Sequence, residues 1–184
     1  MPTTVLGTAS TVPVLGIGNA MTTHTAHPPQ STSARWLGLA AFAAAVTAVA
    51  LIGSLAVTGA STEYASLQRP SWAPPSWLFG PVWTALYAMI AVSGWLVWRR
   101  VGLRSALLPY LGQLLLNAIW TPLFFGLGAY GWALVDIVAL WCVIAANVVA
   151  FWRLSRPAAL LLVPYWLWVT FATALNASIW LLNR

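Results

Sequence analysis

Charged residues are so sparse in this chain that they divide it into long apolar intervals. The intervals 36–62, 70–98 and 157–183 carry no charge, and only Asp136 interrupts the interval 105–152. A membrane-spanning helix needs about 20 apolar residues, so three intervals fit one helix each and the long one fits two, divided by a glycine-rich turn at 126–131. The predicted helices cover about 36–58, 77–98, 105–125, 130–152 and 158–182.

Composition supports a membrane protein. Hydrophobic residues make up 61% of the 184 residues and charged residues only 5%, whereas soluble domains carry about 25% charged residues. The apolar segments are long and lack period-two alternation, which favours helices over transmembrane strands. We therefore predict an all-α integral membrane bundle of five transmembrane helices over residues 35–184. Residues 1–34 are polar, rich in Thr, Ser, Pro and Gly, and predicted to be disordered.

The arginines predict the topology. Five helices place two arginines at one end of the bundle, Arg69 and Arg184, and all the others at the opposite end. The positive-inside rule then puts the N-terminus in the cytoplasm and the C-terminus outside. The arginine-rich end comprises Arg35, Arg99, Arg100, Arg104, Arg153 and Arg156. A bacterial cell membrane is the simplest location, and an organellar membrane is the alternative.

The residues available for chemistry are few. His24 and His27 both lie in the N-terminal tail, Cys142 is the single cysteine, and Glu63 and Asp136 are the two acids. This set cannot build a metal cluster, an axial histidine for haem within the bundle, or a Ser/His/Asp triad. No phosphate-binding loop occurs, and the scattered arginines without any lysine do not indicate nucleic-acid binding. We therefore expect no bound metal or cofactor and no nucleic-acid partner.

Tryptophan is the unusual residue, with 13 in the chain. Tryptophans near the ends of spans are typical membrane-interface anchors, which accounts for Trp36, Trp98, Trp152 and Trp180. Interface anchoring does not explain well the tryptophans that lie inside a predicted span or a turn or more from its end. These are Trp83, Trp120, Trp141 and Trp168.

Four of the predicted helices carry an aromatic and polar stripe at helical spacing. Polar groups are costly in hydrocarbon, so such stripes should face inward and can together line an aromatic cavity with a few amides and one acid. The stripes are Trp83, Tyr87 and Gly94; Gln113, Asn117, Trp120 and Thr121; Trp132, Asp136, Leu140 and Asn147; and Tyr165, Trp168, Ala172 and Asn176.

The alternative for the polar members is a purely structural role, in which they hydrogen-bond one helix to another. Asn147 stands apart from the rest and favours that role. Gln113 and Asn117 fit both roles equally. Asp136 favours a functional role, because it is the only acid in any span and no arginine lies at mid-membrane to pair with it.

The first predicted helix carries a stripe of small residues, Ala40, Ala44 and Ala48. Small residues let helices approach closely, so the stripe predicts either a homodimer interface or packing within the monomer.

Arg69 to Trp83 contains four prolines and three tryptophans. Proline fixes φ and removes backbone donors, so this stretch can hold a shape without helical hydrogen bonds. We expect a stiff loop carrying Trp72 and Trp77 that caps the cavity, with anchoring at the membrane surface as the alternative.

Four motifs in this order resemble the TspO/translocator protein family, whose members are also called tryptophan-rich sensory proteins and peripheral-type benzodiazepine receptors. The resemblance extends from about residue 36 to the end and is carried by Trp72-Ala-Pro-Pro75 with Val82-Trp83 and Leu86-Tyr87, Gly112–Asn117 with Trp120–Gly126, Gly131–Asp136, and Val163–Trp168 with Phe171–Asn176.

The resemblance implies a five-helix bundle, often dimeric, that binds porphyrins such as protoporphyrin IX and drug-like aromatic compounds. It implies ligand-lining positions at Trp83, Asn117, Asp136 and Trp168, and a small residue at Ala172 that affects binding. Asn176-Ala-Ser178 lacks the tyrosine of the mitochondrial sterol motif, which makes a sterol ligand less expected. The predicted ligand-binding set is Trp72, Pro74, Trp83, Tyr87, Gln113, Asn117, Trp120, Asp136, Trp168 and Ala172.

The resemblance leaves three functions open. The first is a tetrapyrrole-binding protein and sensor. The second is an enzyme that degrades porphyrin with light and oxygen, in which Trp83 and Trp168 would carry the electrons. The third is a transporter of porphyrins or other lipophiles, including sterols, against which the absence of an internal repeat argues mildly.

Overall fold

The computed structural model describes residues 32–56, 60–103 and 107–184, and within these ranges the chain forms helices and loops with no strand. The all-α prediction is confirmed. In chain order the elements are α1 (Thr32–Ala56), α2 (Ala60–Ser66), a 3-10 turn (Ser76–Leu78), α3 (Phe79–Val101), α4 (Leu108–Thr121), a π-helical turn (Pro122–Gly126), α5 (Tyr130–Leu154) and α6 (Arg156–Leu182).

Four helices, α1, α3, α5 and α6, are long and apolar enough to cross a membrane. The remaining predicted span corresponds to α4, which has only 14 residues and continues directly into the π-helical turn. Two other bounds differ from expectation. Helix α1 begins at Thr32, inside the predicted tail, whose residues before Thr32 lie outside the described part of the chain, as does Arg104. The short helix α2 was not predicted at all.

The end of α4 widens because of Pro122. Proline has no N–H, so it cannot donate the next bond of the α-helical ladder. The chain instead closes a wider turn, in which the Leu127 N–H donates to the Pro122 carbonyl at 3.0 Å. Gly128, with φ of 57°, then reverses the chain into α5.

The four long helices and the shorter α4 form a closed ring. Helix α1 packs against α3, α3 against α6, α6 against α5, α5 against α4, and α4 again against α1. A ring of five helices encloses an interior without any helix at its centre. The ring therefore leaves room for a cavity wherever the interior side chains do not fill it.

The arginine-rich end of the ring comprises the start of α1, the end of α3 and the junction of α5 with α6. The Trp95 indole N–H donates to the Arg35 carbonyl at 2.9 Å, and the Arg100 guanidinium donates to the Leu154 carbonyl at 2.7 Å. The first bond joins the start of α1 to α3, and the second joins the end of α3 to the end of α5, so Arg35 and Arg100 lie at the same end of the ring. Which side of a membrane this end faces stays a prediction.

Ring packing at this end is tight. A Cβ atom added to Gly94 of α3 would lie 2.6 Å from the Tyr110 ring and 2.8 Å from the Phe42 ring. A Cβ atom on Gly38 of α1 would overlap the Trp98 ring in the same way. Glycine at these two positions therefore lets α1, α3 and α4 approach closely, because a larger side chain would clash.

The stripe of Ala40, Ala44 and Ala48 lies on the exposed side of α1. Packing of this stripe within the monomer, one of the two alternatives from the sequence, is therefore wrong. The homodimer interface stays a prediction.

Candidate ligand-binding cavity

A cavity of about 360 Å³ lies inside the ring, toward the end opposite the arginine-rich end. We call this the lip end, because the loop 67–75, the lip loop, lies there. All five helices of the ring contribute to the walls. The described lining residues are Ala50, Gly53, Tyr64, Ser76, Phe79, Gly80, Trp83, Tyr87, Asn117, Trp120, Thr121, Phe124, Phe125, Ile137, Leu140, Trp168, Val169, Ala172, Leu175 and Asn176.

One wall is organised around Asn117 of α4, which is 5% exposed. The Tyr87 hydroxyl donates to Asn117 Oδ1 at 3.0 Å, and Asn117 Nδ2 donates to the Tyr165 hydroxyl at 3.0 Å. A buried amide with both ends paired avoids the cost of an unsatisfied polar group. Asn117 therefore holds α3, α4 and α6 together at the cavity wall.

A second amide, Asn176 of α6, plays the same part nearer the lip end. Its Oδ1 accepts from the Trp120 indole N–H at 3.1 Å, and its Nδ2 donates to the Tyr130 carbonyl at 2.9 Å. Trp120 in turn stacks on Phe124 of the π-helical turn, with ring centres 5.0 Å apart. The widened turn thus places a fixed aromatic layer against the cavity.

Trp83 and Trp168 contribute two large aromatic rings to the cavity wall. Trp83 of α3 packs against Tyr87 at 5.2 Å and against Tyr165 at 6.1 Å between ring centres. Trp168 of α6 packs against Phe79 at 6.0 Å. Both indoles are half-buried, so part of each ring is left free toward the cavity.

The lip loop is fastened at three points. The Tyr64 hydroxyl of α2 donates to the Pro74 carbonyl at 3.1 Å, and the Trp72 ring meets Phe171 edge-on at 5.7 Å. The Gln68 N–H donates to Asn183 Oδ1 at 3.0 Å, and Asn183 Nδ2 donates back to the Gln68 carbonyl at 2.8 Å. The loop is therefore bonded both to α2 and to the end of α6.

Tyr64 connects the lip loop with the cavity, because its hydroxyl bonds to the loop and its ring lines the cavity. Burial raises the pKa of the Tyr64 hydroxyl above its ordinary value, and the adjacent Arg69 opposes part of that rise. The hydroxyl is therefore neutral at neutral pH, as its role as a donor to Pro74 requires.

A five-helix membrane ring with tryptophan walls and a proline-rich loop at one end agrees with the comparisons to known proteins. The model of the TspO/MBR family matches residues 40–181. The human translocator protein is 42% identical over 151 residues, covering 79% of this chain and 89% of that protein. The chain belongs to the TspO/MBR family. Its relatives include bacterial proteins with similar coverage.

Two of these bacterial relatives are the tryptophan-rich sensory protein of Cereibacter sphaeroides and protein CrtK of Rhodobacter capsulatus. The first is 38% identical over 142 residues, covering 75% of this chain and 90% of that protein. The second is 37% identical over 154 residues, covering 80% of this chain and 95% of that protein. The residues matched by the family model, 40–181, include every described lining residue of the cavity. Together with the four helices that are long and apolar enough to cross a membrane, the family shows that this TspO/MBR chain is an integral membrane protein.

Six of the ten residues predicted to bind a ligand line the cavity of this TspO/MBR chain, from three different helices. They are Trp83, Tyr87, Asn117, Trp120, Trp168 and Ala172. Two others belong to the lip loop rather than to the lining, because the Trp72 ring is half exposed and Pro74 contributes its carbonyl to Tyr64.

The remaining two predicted residues lie in the helix packing. Gln113 is fully buried, and its Oε1 accepts from Asn147 Nδ2 at 2.9 Å across the contact of α4 with α5. Asp136 is 9% exposed, and its Oδ2 has no hydrogen-bond partner among the described residues. Neither is among the described lining residues, although Ile137 and Leu140, beside Asp136 on α5, are.

The stripe predicted for the fourth span was wrong in part. Trp132, its first member, is 71% exposed and faces away from the interior. Trp132 lies in the first turn of α5 on its outward face, whereas the next residue, Ala133, is fully buried. A position at the membrane interface suits this tryptophan better than a cavity wall.

Four aromatic contributors were not singled out from the sequence: Tyr64, Phe79, Phe124 and Phe125. Tyr64 lies on α2, in a short polar segment that gave no helical periodicity. The two phenylalanines belong to the π-helical turn, where the spacing of faces departs from 3.6 residues. Pro122 within an aromatic run was the available signal for that turn.

Proposed function

We propose that this chain binds tetrapyrroles such as protoporphyrin IX in the cavity of its helical ring and acts as a porphyrin sensor in the membrane. One observation carries the proposal: Trp83 and Trp168 present free ring surface to a cavity whose described lining residues carry no charge. Flat aromatic molecules stack on indole faces, and a volume of about 360 Å³ lies at the lower end of the range of small-molecule sites.

The polar groups of the cavity suit a ligand with few hydrogen-bonding demands inside the bundle. The two wall amides, Asn117 and Asn176, are already bonded through both their oxygen and their nitrogen. The lining residues that the structure describes include no charged side chain. An extended, largely apolar aromatic ring system meets these conditions, which a small charged metabolite does not.

The test is a titration of the detergent-purified protein with protoporphyrin IX in the dark, followed by tryptophan fluorescence. The parent should show saturable quenching. Trp83→Phe and Trp168→Phe should each raise Kd about threefold to tenfold, since aromatic contacts are worth about 0.5–1.5 kcal/mol beyond the buried area.

Trp36→Phe is the matched control, because Trp36 is 65% exposed on α1 and remote from the lining. It removes one fluorophore and should leave Kd unchanged. Equal Kd values in all four proteins, or quenching without saturation, would mean that the porphyrin only partitions into the micelle, and would refute the proposal.

The geometry around Trp83 also supports a second candidate, the light- and oxygen-dependent breakdown of porphyrin. Trp83 contacts two tyrosine rings, Tyr87 and Tyr165, so an oxidised indole has oxidisable neighbours within 6.1 Å between ring centres. Illumination of the saturated complex in air distinguishes the two functions. New products in the parent that are lost in Trp83→Phe at saturating porphyrin would favour the enzyme, and unchanged porphyrin would favour the sensor. Uptake of porphyrin into liposomes containing the protein would instead indicate transport.

A further inference from the structure

The cavity and its proposed ligand differ in charge. Protoporphyrin IX carries two propionate groups on one edge, and they are ionised at neutral pH. Moving a carboxylate into an apolar interior without a partner is strongly unfavourable. Since the described lining is uncharged, the propionates should remain outside the walls, where a cation can neutralise them.

Arg69 is the described cation attached to the cavity. Its guanidinium carbon lies 4.7 Å from the centre of the Tyr64 ring, and that ring lines the cavity. The other arginine at the lip end, Arg184, lies 5.8 Å from the centre of the Trp180 ring, which is not among the described lining residues. Of the two, only Arg69 therefore rests on a cavity wall.

The chain's two acids do not occupy Arg69. Glu63 is the nearer one in sequence, and its Oε1 is 3.5 Å from the Tyr130 hydroxyl, toward the start of α5. Asp136 lies within α5. Arg69 is exposed, so its guanidinium has donors available for an incoming carboxylate while its central carbon lies over the Tyr64 ring.

The backbone beside Arg69 is held in place. Gln68 makes the reciprocal pair of hydrogen bonds with Asn183 at the end of α6. On the other side, Pro70 has a fixed φ, and its carbonyl accepts from the Ala73 N–H at 3.0 Å. An arginine on a fixed backbone loses less freedom on binding a carboxylate than one on a loose loop.

We propose that Arg69 is the carboxylate-binding residue at the mouth of the cavity, and that it selects acidic tetrapyrroles and orients them with the propionate edge toward the lip loop. This inference rests on the proposed porphyrin function and adds the ligand class and its orientation. The apolar edge of the ring system then lies between Trp83 and Trp168. The guanidinium binds a propionate through charge-assisted hydrogen bonds.

The experiment compares protoporphyrin IX with its dimethyl ester, which has the same ring system without the negative charges. Both are titrated in the dark, in a nonionic detergent, against the parent, Arg69→Gln, Arg69→Lys and Arg184→Gln. Arg69→Gln should raise Kd for the acid about threefold to tenfold and leave Kd for the ester unchanged. Arg69→Lys should recover part of the loss, because it keeps the charge but not the planar fork.

Arg184→Gln removes a positive charge from the same end of the bundle and should have a smaller effect than Arg69→Gln. Equal losses in the two variants would assign the effect to general surface charge and overturn the proposal. An Arg69→Gln loss of the same size for acid and ester, or no loss for either, would also overturn it while leaving the porphyrin function standing. Absence of saturable binding of both porphyrins to the parent would refute the proposed function, and with it the role of Arg69.

Discussion

Helix α3 runs from the lip end of the ring to the arginine-rich end, and two of its glycines meet opposite surroundings. A Cβ atom on Gly80 would meet nothing within 4 Å, whereas one on Gly94 would lie 2.6 Å from Tyr110. The same helix therefore borders open space at one end and a closely packed interior at the other.

The buried amides of α4 show the same contrast one helical turn apart. Asn117 faces the cavity and pairs with two tyrosine hydroxyls, and Gln113 faces α5 and pairs with Asn147. Both are buried, and both share one face of the helix. The two amides therefore differ in their hydrogen-bond partners and not in their position on the helical wheel. The partners show which amide belongs to the cavity wall and which to the packed interior.

The largest expected effect is on stability at the packed end. Gly94→Ala places a methyl group against two aromatic rings, and such overpacking costs about 1–3 kcal/mol. Gly80→Ala meets no neighbour and should change the free energy of unfolding by less than about 0.5 kcal/mol. Thermal unfolding in detergent measures both. Equal melting temperatures for the two variants would contradict the contrast between the ends.

Filling the cavity should affect binding without affecting folding. Ala172→Leu adds bulk to a lining position of α6, so a ligand must push it aside, and Kd for protoporphyrin IX should rise by about tenfold or more. The melting temperature should stay close to that of the parent.

Ala174→Leu is its matched control, because Ala174 lies two residues away on the exposed side of the same helix. It should change neither quantity. If the control weakens binding as much as Ala172→Leu, the ligand does not occupy this cavity.

A smaller effect on binding is expected at the amide that faces the cavity. Asn117→Leu leaves the Tyr87 and Tyr165 hydroxyls without the partner that fixes them, so the ring of Tyr87 loses its constraint beside Trp83. We expect Kd to rise about threefold and stability to fall by about 1 kcal/mol. Unchanged binding, with the stability loss present, would reduce Asn117 to a purely structural residue.

The helices were predictable from the sequence because the membrane imposes a simple constraint. In the described part of the chain, each long interval without charge contains at least one helix, because the backbone of an apolar segment in a membrane must bond within itself. The bounds were less predictable, because α1 continues into the polar segment before Arg35 and α2 forms where no apolar period exists.

Helical spacing predicted some of the residues that line the cavity and missed others. The stripe of Trp83 and Tyr87 and the stripe of Trp168 and Ala172 were placed on interior faces by period alone. The aromatic residues of the π-helical turn were missed because Pro122 changes the period. Gln113 was predicted to line the cavity because helical spacing shows on which face of a helix a residue lies. Spacing does not show at which level of the bundle a neighbouring helix packs over that face.

The smallest expected effect concerns the packed amide pair. Gln113 and Asn147 form one hydrogen bond, while Gln113 Nε2 and Asn147 Oδ1 have no partner among the described residues. A double-mutant cycle with Gln113→Leu and Asn147→Leu should give a coupling of about 0.6 kcal/mol, the typical value for bonds between membrane helices. The double variant should be nearly as stable as the parent, because both unpaired atoms disappear with the bond. Porphyrin affinity should not change in any of the three variants. A loss of affinity in Gln113→Leu comparable to that in Asn117→Leu would return Gln113 to the ligand-binding set and remove the distinction between the two amides.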